Sequence, residues 1–353
     1  MVTELTVPRF SGALLLRDTE ATAPTVRNRL MLALAIGLVA GCVTYAFHSR
    51  PGAAPDFIYP WTASRSLLAG MNPYSALPGG MAAPFQAPLL YPLTAAIVIV
   101  PVVWMPLPLA VAVFMGISAL LLAYGVTRET WDRLLLFATA PFLTAVALGQ
   151  WSPLLTAAAL LPACGFLAVA KPNLGLALTI YRPSRAGLIG CALLLALSLL
   201  VLPSWPRDWL HSLSVDRQSG THVAPIATPF GVVLLLALLR WRRPEARLLL
   251  VMACVPQLLF FYDQLPLMLV PSSRRESYAI VIPSSVAFLV WLVMGHGSVG
   301  GPKVAEWCVM LSTYIPCLII ILRRPNEGPA NEVIERCKAR WLDWLARRRE
   351  ILR

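Results

Sequence analysis

Acidic side chains are scarce in this chain. Aspartate and glutamate number 17 against 29 lysines and arginines, in 353 residues. Charged residues of both signs make up only 13%, where a soluble domain carries about 25%. So few charges cannot cover a surface in water, which excludes an ordinary soluble globular protein. Ligand-type clusters are also missing. The seven cysteines (Cys42, Cys164, Cys191, Cys254, Cys308, Cys317 and Cys337) are scattered, mostly in apolar stretches, with no CxxC pair and no His/Cys spacing of a metal site. They read as small packing residues, and neither a metal nor a cofactor is called for. The first apolar run, from about Leu30, is followed by no small-residue cleavage site, so it is expected to stay as a helix rather than be removed as a signal peptide. No internal repeat is visible. No span centre carries the acidic or basic relay that ion-coupled transport needs, which argues against a transporter.

What is present is apolar sequence. Hydrophobic residues make up 58%, and mean hydropathy is +0.70. Runs at 30–47, 90–104, 107–125, 134–148, 152–170, 186–203, 224–239, 247–262, 278–295 and 304–322 approach membrane-spanning length. Each must be helical, because lipid offers backbone amides no partner. Two apolar pieces, 172–181 and 265–273, are too short for an ordinary span. Prolines such as Pro101, Pro141, Pro172, Pro256 and Pro266 mark many of the ends, which predicts broken or re-entrant helices around a cavity. The expected fold is an all-α polytopic membrane bundle of about 10–12 helices.

Three parts follow: a leader (1–29), a membrane domain (30–322) whose first outer loop is 48–89, and a basic amphipathic tail helix (323–353). The net charge of +12 is gathered in the leader, in "RWRRPEAR" (240–247) and in the tail. In a membrane protein that pattern points to cytoplasmic loops and anionic lipid rather than nucleic acid. Both termini are therefore expected in the cytoplasm, and the 48–89 loop, Lys171, the 204–222 loop and Tyr262–Asp263 on the outer side.

The outer loop carries "PDFIYPWTASRSLLAGMNPY" (55–74). Asp56 is placed to cap a helix start, Pro60 falls in the first turn, and Gly70 with "NP" ends it. Phe57, Trp61, Ser64 and Leu68 share a stripe at helical spacing. A short interfacial helix over 56–69 is predicted, with a lone acid at its membrane-proximal end. As a bare residue, Asp56 serves equally well as a cap.

This stretch resembles the first-loop signature of the GT-C glycosyltransferases of family 87, the polyprenol-phosphate-mannose-dependent α-1,2-mannosyltransferase-like proteins: an acid, an aromatic pair, a small residue, then LLxGxNPY. Further segments resemble that family in the same order over about residues 30–270: "APLLYPLTAAIVIVP", "LGQWSP", "VAKPNLGLAL" and "VPQLLFFYDQLPLML". The resemblance implies a helical membrane enzyme with an outer-face site, a sugar donor on a polyprenyl phosphate, a lipid or glycan acceptor, and inversion at the anomeric carbon. It assigns Asp56 as general base and implies a bacterial inner membrane.

One acid is chemically sufficient. Glycosidases need a second carboxyl to protonate the leaving alkoxide, whereas a phosphate leaves as a weak base. Cations should meet the growing phosphate charge. Lys171 and Arg65 are the first candidates, with Gln257 and His222 behind them. Lys171 reads equally as a snorkelling boundary lysine, Arg65 as a headgroup contact, and His222 as a solvated loop residue. Sugar or acceptor contacts fall to Tyr59, Trp61, Asn72, Tyr74, Gln150, Tyr262 and Asp263, with Asp263 alternatively pairing with Lys171. Asp208, in the predicted interfacial segment "SWPRDWLHSLSVDRQSG", is a backup acid. Two departures stand out: Gln257 occupies a position where the family carries histidine, and the family's Asn-Gln-Ser segment before residue 224 is reduced to "RQSGTHVAP". They support the alternative of a degenerate relative that serves as a lipid-binding or structural subunit of a membrane complex.

Overall fold

Thr25 starts the first long helix: its hydroxyl accepts from the amide of Asn28, satisfying one of the orphan donors of the first turn. The structure, a computed structural model, describes residues 25–52, 55–75, 88–128, 130–217, 222–294, 301–328 and 341. Along these residues run α1 (Val26–His48), α2 (Ile58–Leu68), α3 (Leu93–Ile99), α4 (Leu107–Val126), α5 (Ala140–Leu148), α6 (Ser152–Leu160), α7 (Pro172–Tyr181), α8 (Arg185–Val201), α9 (Trp205–Arg217), α10 (Pro244–Cys254), α11 (Arg274–Met294), α12 (Gly301–Val309) and α13 (Ile315–Leu322). Stretches Asp132–Ala138, Pro162–Ala170, Gly231–Arg240 and Phe261–Leu269 wind more tightly, as 3-10 helix. Among the described residues there is no strand; Val223 and Gln257 form an isolated bridge. The chain is an all-α polytopic membrane protein.

Among the described residues four helices are long and apolar enough to cross a membrane: Val26–His48, Leu107–Val126, Arg274–Met294 and Lys303–Leu322. The last includes a π-helical turn, Met310–Tyr314. A fifth arises if α8 and α9, bent by 96° at 202–204, are counted together. Short and broken helices were expected, and they are found. Of the ten runs read as candidate spans, several are not continuous helices. The runs at 90–104, 134–148, 152–170, 224–239 and 247–262 are each broken or shortened.

The run at 152–170 shows why. It is uniformly apolar, yet α6 stops at Leu160, because Pro162 offers no amide hydrogen and forces Leu161 into extended backbone (φ −120°, ψ 96°). At about 1.5 Å per residue, α6 is roughly 14 Å long, half of the ~30 Å hydrocarbon core. The short segment 172–181 forms α7, of similar length, and 265–273 is absorbed into Phe261–Leu269 and the turn after it.

α1 and α4 cross closely and antiparallel through small residues. A Cβ on Gly37 would lie 2.7 Å from the carbonyl oxygen of Gly116, the kind of backbone approach that holds helices together in lipid. Arg29, near the start of α1, donates to the carbonyl of Tyr124 at 2.7 Å, near the end of α4. This fixes one face of the molecule. On that face Arg324 bonds Glu245 (3.3 Å), Glu276 (2.5 Å) and the carbonyl of Val270 (3.0 Å), tying α10, α11 and the end of α13 together. The end of α1 and the start of α2 lie at the opposite face. α9 lies there as well, a helix within the segment 204–220, held by Trp209, whose indole donates to the Leu90 carbonyl (2.8 Å). The leader before 25 lies outside the described residues; of the tail helix expected over 323–353, residues 323–328 are described and are not helical, Trp341 is exposed, and the rest lies outside the described residues.

Candidate active site at the start of the half-length helices

Asp56 does not cap α2. Phe57 holds the N-cap position and no side chain bonds the first-turn amides. The capping role is therefore set aside: the Asp56 carboxylate turns instead to Gln150, whose Nε2 donates to its Oδ2. The backbone locks the same pair, with the Asp56 amide donating to the Leu148 carbonyl at 3.1 Å. Gly149 makes this meeting feasible. It ends α5 in the left-handed region (φ 64°), and a Cβ there would sit 2.6 Å from Val111 Cγ2 and 3.2 Å from Pro55 Cβ. Only glycine combines that turn with that approach. Aromatic packing fixes both partners: Phe57 meets Phe114 at 4.8 Å between ring centres, and Phe114 meets Trp151 at 5.1 Å. Phe57 and Trp151 are fully buried.

Lys171 precedes α7, and its Nζ bonds Asp263 Oδ1 at 2.6 Å, the pairing anticipated as one role of that acid. It also lies 5.5 Å from the ring centre of Tyr262. Burial pushes the Asp56 pKa above the ordinary carboxylate value. The Lys171 ammonium opposes this most, then the Gln150 hydrogen bond; Asp263 adds to the rise, and His222 counters it. Asp56, Gln150, Lys171, Tyr262 and Asp263 thus form one electrostatic unit, and Tyr59 lies within reach of the Asp56 charge.

Helix starts surround this unit. α2, α6, α7 and Phe261–Leu269 all begin beside these residues, and none has a side-chain cap at its N-cap. Uncapped N-termini carry partial positive charge and unpaired amides, which favour an anion. Three consecutive polar groups here are also buried without a partner: Gln150 Oε1, Trp151 Nε1 and Ser152 Oγ. Buried polar groups are ordinarily satisfied, so a cluster of unsatisfied ones at helix starts marks a place for a ligand. Among the described residues no group of three or more His, Cys, Asp or Glu is spaced to hold a metal.

Other expected contributors lie elsewhere. Arg65 is exposed, with its guanidinium over the Trp61 ring at 4.8 Å. Trp61 serves as its platform. Asn72 Nδ2 donates to Asp208 Oδ2 at 2.9 Å, so both the expected contact and the backup acid are spent fastening the loop to α9. The Tyr74 hydroxyl donates to the Tyr91 carbonyl at 2.9 Å. His222 pairs with Asp216 at 2.8 Å and reaches Asp56 only through its field. Gln257 is fully buried: its Nε2 donates to the Met252 carbonyl and to the Tyr314 hydroxyl at 2.9 Å, and its Oε1 meets Gln264. That network sits inside the bundle, so the phosphate role for Gln257 is withdrawn.

Three residues were missed: Trp151 and Ser152, which carry two of the unpartnered groups, and Tyr91. Tyr91 is within the fields of Asp56, Asp263 and Tyr59 and packs against Trp151 at 6.1 Å. Its signal was the "YP" heading the second apolar run, noted only as a motif. Set against protein-family models, curated proteins and solved structures, the chain matches none.

Proposed function

We propose that the protein is an integral-membrane glycosyltransferase. It transfers a sugar, mannose by the resemblance, from a polyprenyl phosphate to a lipid or glycan hydroxyl at the outer face of a bacterial inner membrane. The observation that supports this is the set of unsatisfied polar groups and uncapped helix starts gathered around one carboxylate of raised pKa. A carboxylate whose pKa is raised toward the working pH is a stronger base while still ionised there.

In this reading Gln150 holds Asp56 Oδ2 and leaves Oδ1 for the acceptor hydroxyl. Asp56 takes the hydroxyl proton as the oxygen attacks the anomeric carbon. The bond from that carbon to the phosphate oxygen breaks, and the electron pair leaves with the phosphate. Attack opposite the leaving group inverts the centre. The growing charge meets the Lys171 ammonium and the positive ends of the α6 and α7 dipoles. No acid is needed for so weakly basic a leaving group.

A second reading, a lipid-binding or structural subunit, is favoured by two observations. The Lys171 charge is already paired with Asp263, and Gln257 is committed to the core. The experiment that separates them uses purified full-length protein in nanodiscs with radiolabelled polyprenyl-phosphate mannose and a membrane extract. Label should move to a new product with the wild type and not with Asp56→Asn. No transfer by the wild type from any polyprenyl-phosphate sugar would leave the subunit reading.

A further inference from the structure

The far ends of the same short helices enclose a second feature. A cavity of about 1090 Å³ opens there, as large as a small-molecule site. Its walls are apolar and small, with Leu155, Ala158, Ala159, Gly175 and Leu178 among them. Its polar groups are Arg128, Arg133, Arg182 and Arg247, with Tyr181, Thr179 and Ser184, and among the described residues no acid lines it. The nearby Glu245 is engaged by Arg243 at 3.5 Å and Arg324 at 3.3 Å.

Part of this basic character serves the helices themselves. Arg128 Nη1 donates to the Leu160 carbonyl at 3.2 Å, at the end of α6. A guanidinium carries five donors, so one such bond leaves most of the fork. Dipole compensation alone also does not require an apolar chamber behind the arginines. Leu188 lines the cavity and is 52% exposed on α8. It puts one edge of the chamber on a surface that faces lipid.

We propose that this cavity binds an anionic phospholipid, with the phosphate among Arg128, Arg133, Arg182 and Arg247 and an acyl chain against the apolar wall. The face is the one that carries Arg29, Arg240, Arg242, Arg243 and Arg324, which the distribution of positive charge assigns to the cytoplasm. Basic pockets between membrane helices on that side meet an anionic leaflet, and arginine forks match phosphate geometry. The site is separate from Asp56, and the proposal does not rest on the glycosyltransferase reading.

The test is native mass spectrometry of the full chain released from nanodiscs of phosphatidylcholine with or without phosphatidylglycerol. The wild type should retain phosphatidylglycerol in preference to phosphatidylcholine. Arg128→Gln/Arg182→Gln should lower that retention about tenfold or more. Ala159→Phe, which fills the chamber and keeps every charge, should lower it too, and it decides the matter if the double variant fails to fold. Asp56→Asn should leave retention unchanged. Equal retention of the two lipids, retention untouched by Ala159→Phe, or displacement of the lipid by inorganic phosphate alone would overturn the proposal.

Discussion

The two ends of α6 and α7 differ in kind. At their starts stand Gln150, Ser152 and Lys171, with the acids Asp56 and Asp263 facing them. At their far ends the cavity is lined by arginines and, among the described residues, by no acid. The first end mixes charges of both signs with unpaired buried groups. The second offers one sign and an apolar wall, suited to holding a single kind of ligand. Helices of half the membrane thickness allow both, because each brings a free terminus to a depth where a full span would be continuous.

The sharpest break in this comparison is Asp56→Asn. On the proposed function it should lower sugar transfer by about 10²–10⁴-fold, the usual contribution of a positioned base, while lipid retention at the arginine end stays at the wild-type level. The same variant should not lose stability. The folded pKa of Asp56 is raised, so its contribution declines as pH climbs from the ordinary carboxylate value of about 3.9 through the folded value. The asparagine variant escapes that decline. Thermal unfolding in detergent at several pH values should show it at least as stable as wild type above that window.

Gly149→Ala tests how far the first end depends on backbone rather than charge. The left-handed conformation alone costs a non-glycine residue about 1–2 kcal/mol, and the contacts with Val111 and Pro55 leave the new methyl no room. Denaturant unfolding should show at least that loss, and transfer should fall because residues 55–57 move with Asp56.

Smaller shifts of opposite sign come next. Lys171→Gln removes the strongest influence lowering the Asp56 pKa, so the acid limb of the pH–rate profile should move to higher pH. Asp263→Asn removes a raising influence, so the limb should move lower. Gln150→Leu should move it higher, by less than Lys171→Gln. Shifts of the same sign for Lys171 and Asp263 would mean that Asp56 does not own the limb.

Much of this was legible in the chain. Apolar composition gave the class, the stripe at 57–68 gave α2, and "YD" pointed to the partner of Lys171, whereas Gln150 of "LGQWSP" was expected as a sugar or acceptor contact and not as the partner of Asp56. The fractures were less legible. Hydropathy registers that 152–170 is apolar throughout, whereas Pro162 decides whether winding continues. Gln257 illustrates a different gap. A polar residue near a motif suggests a ligand contact, but its partner Tyr314 comes from a distant helix, and nothing local announces that the amide is already satisfied. The role expected for Asn72 failed for the same reason, since Asp208 reaches it from α9.

The central claim is that Asp56 takes a proton from an acceptor hydroxyl, and the pH profile of kcat/KM for transfer addresses it most directly, with wild type and Asp56→Asn in identical nanodiscs. The account predicts that wild-type activity rises with pH through a pKa above the ordinary carboxylate value, and that the asparagine variant lacks this rise and most of the activity. An asparagine variant that transfers sugar at the wild-type rate with the same acid limb would contradict it.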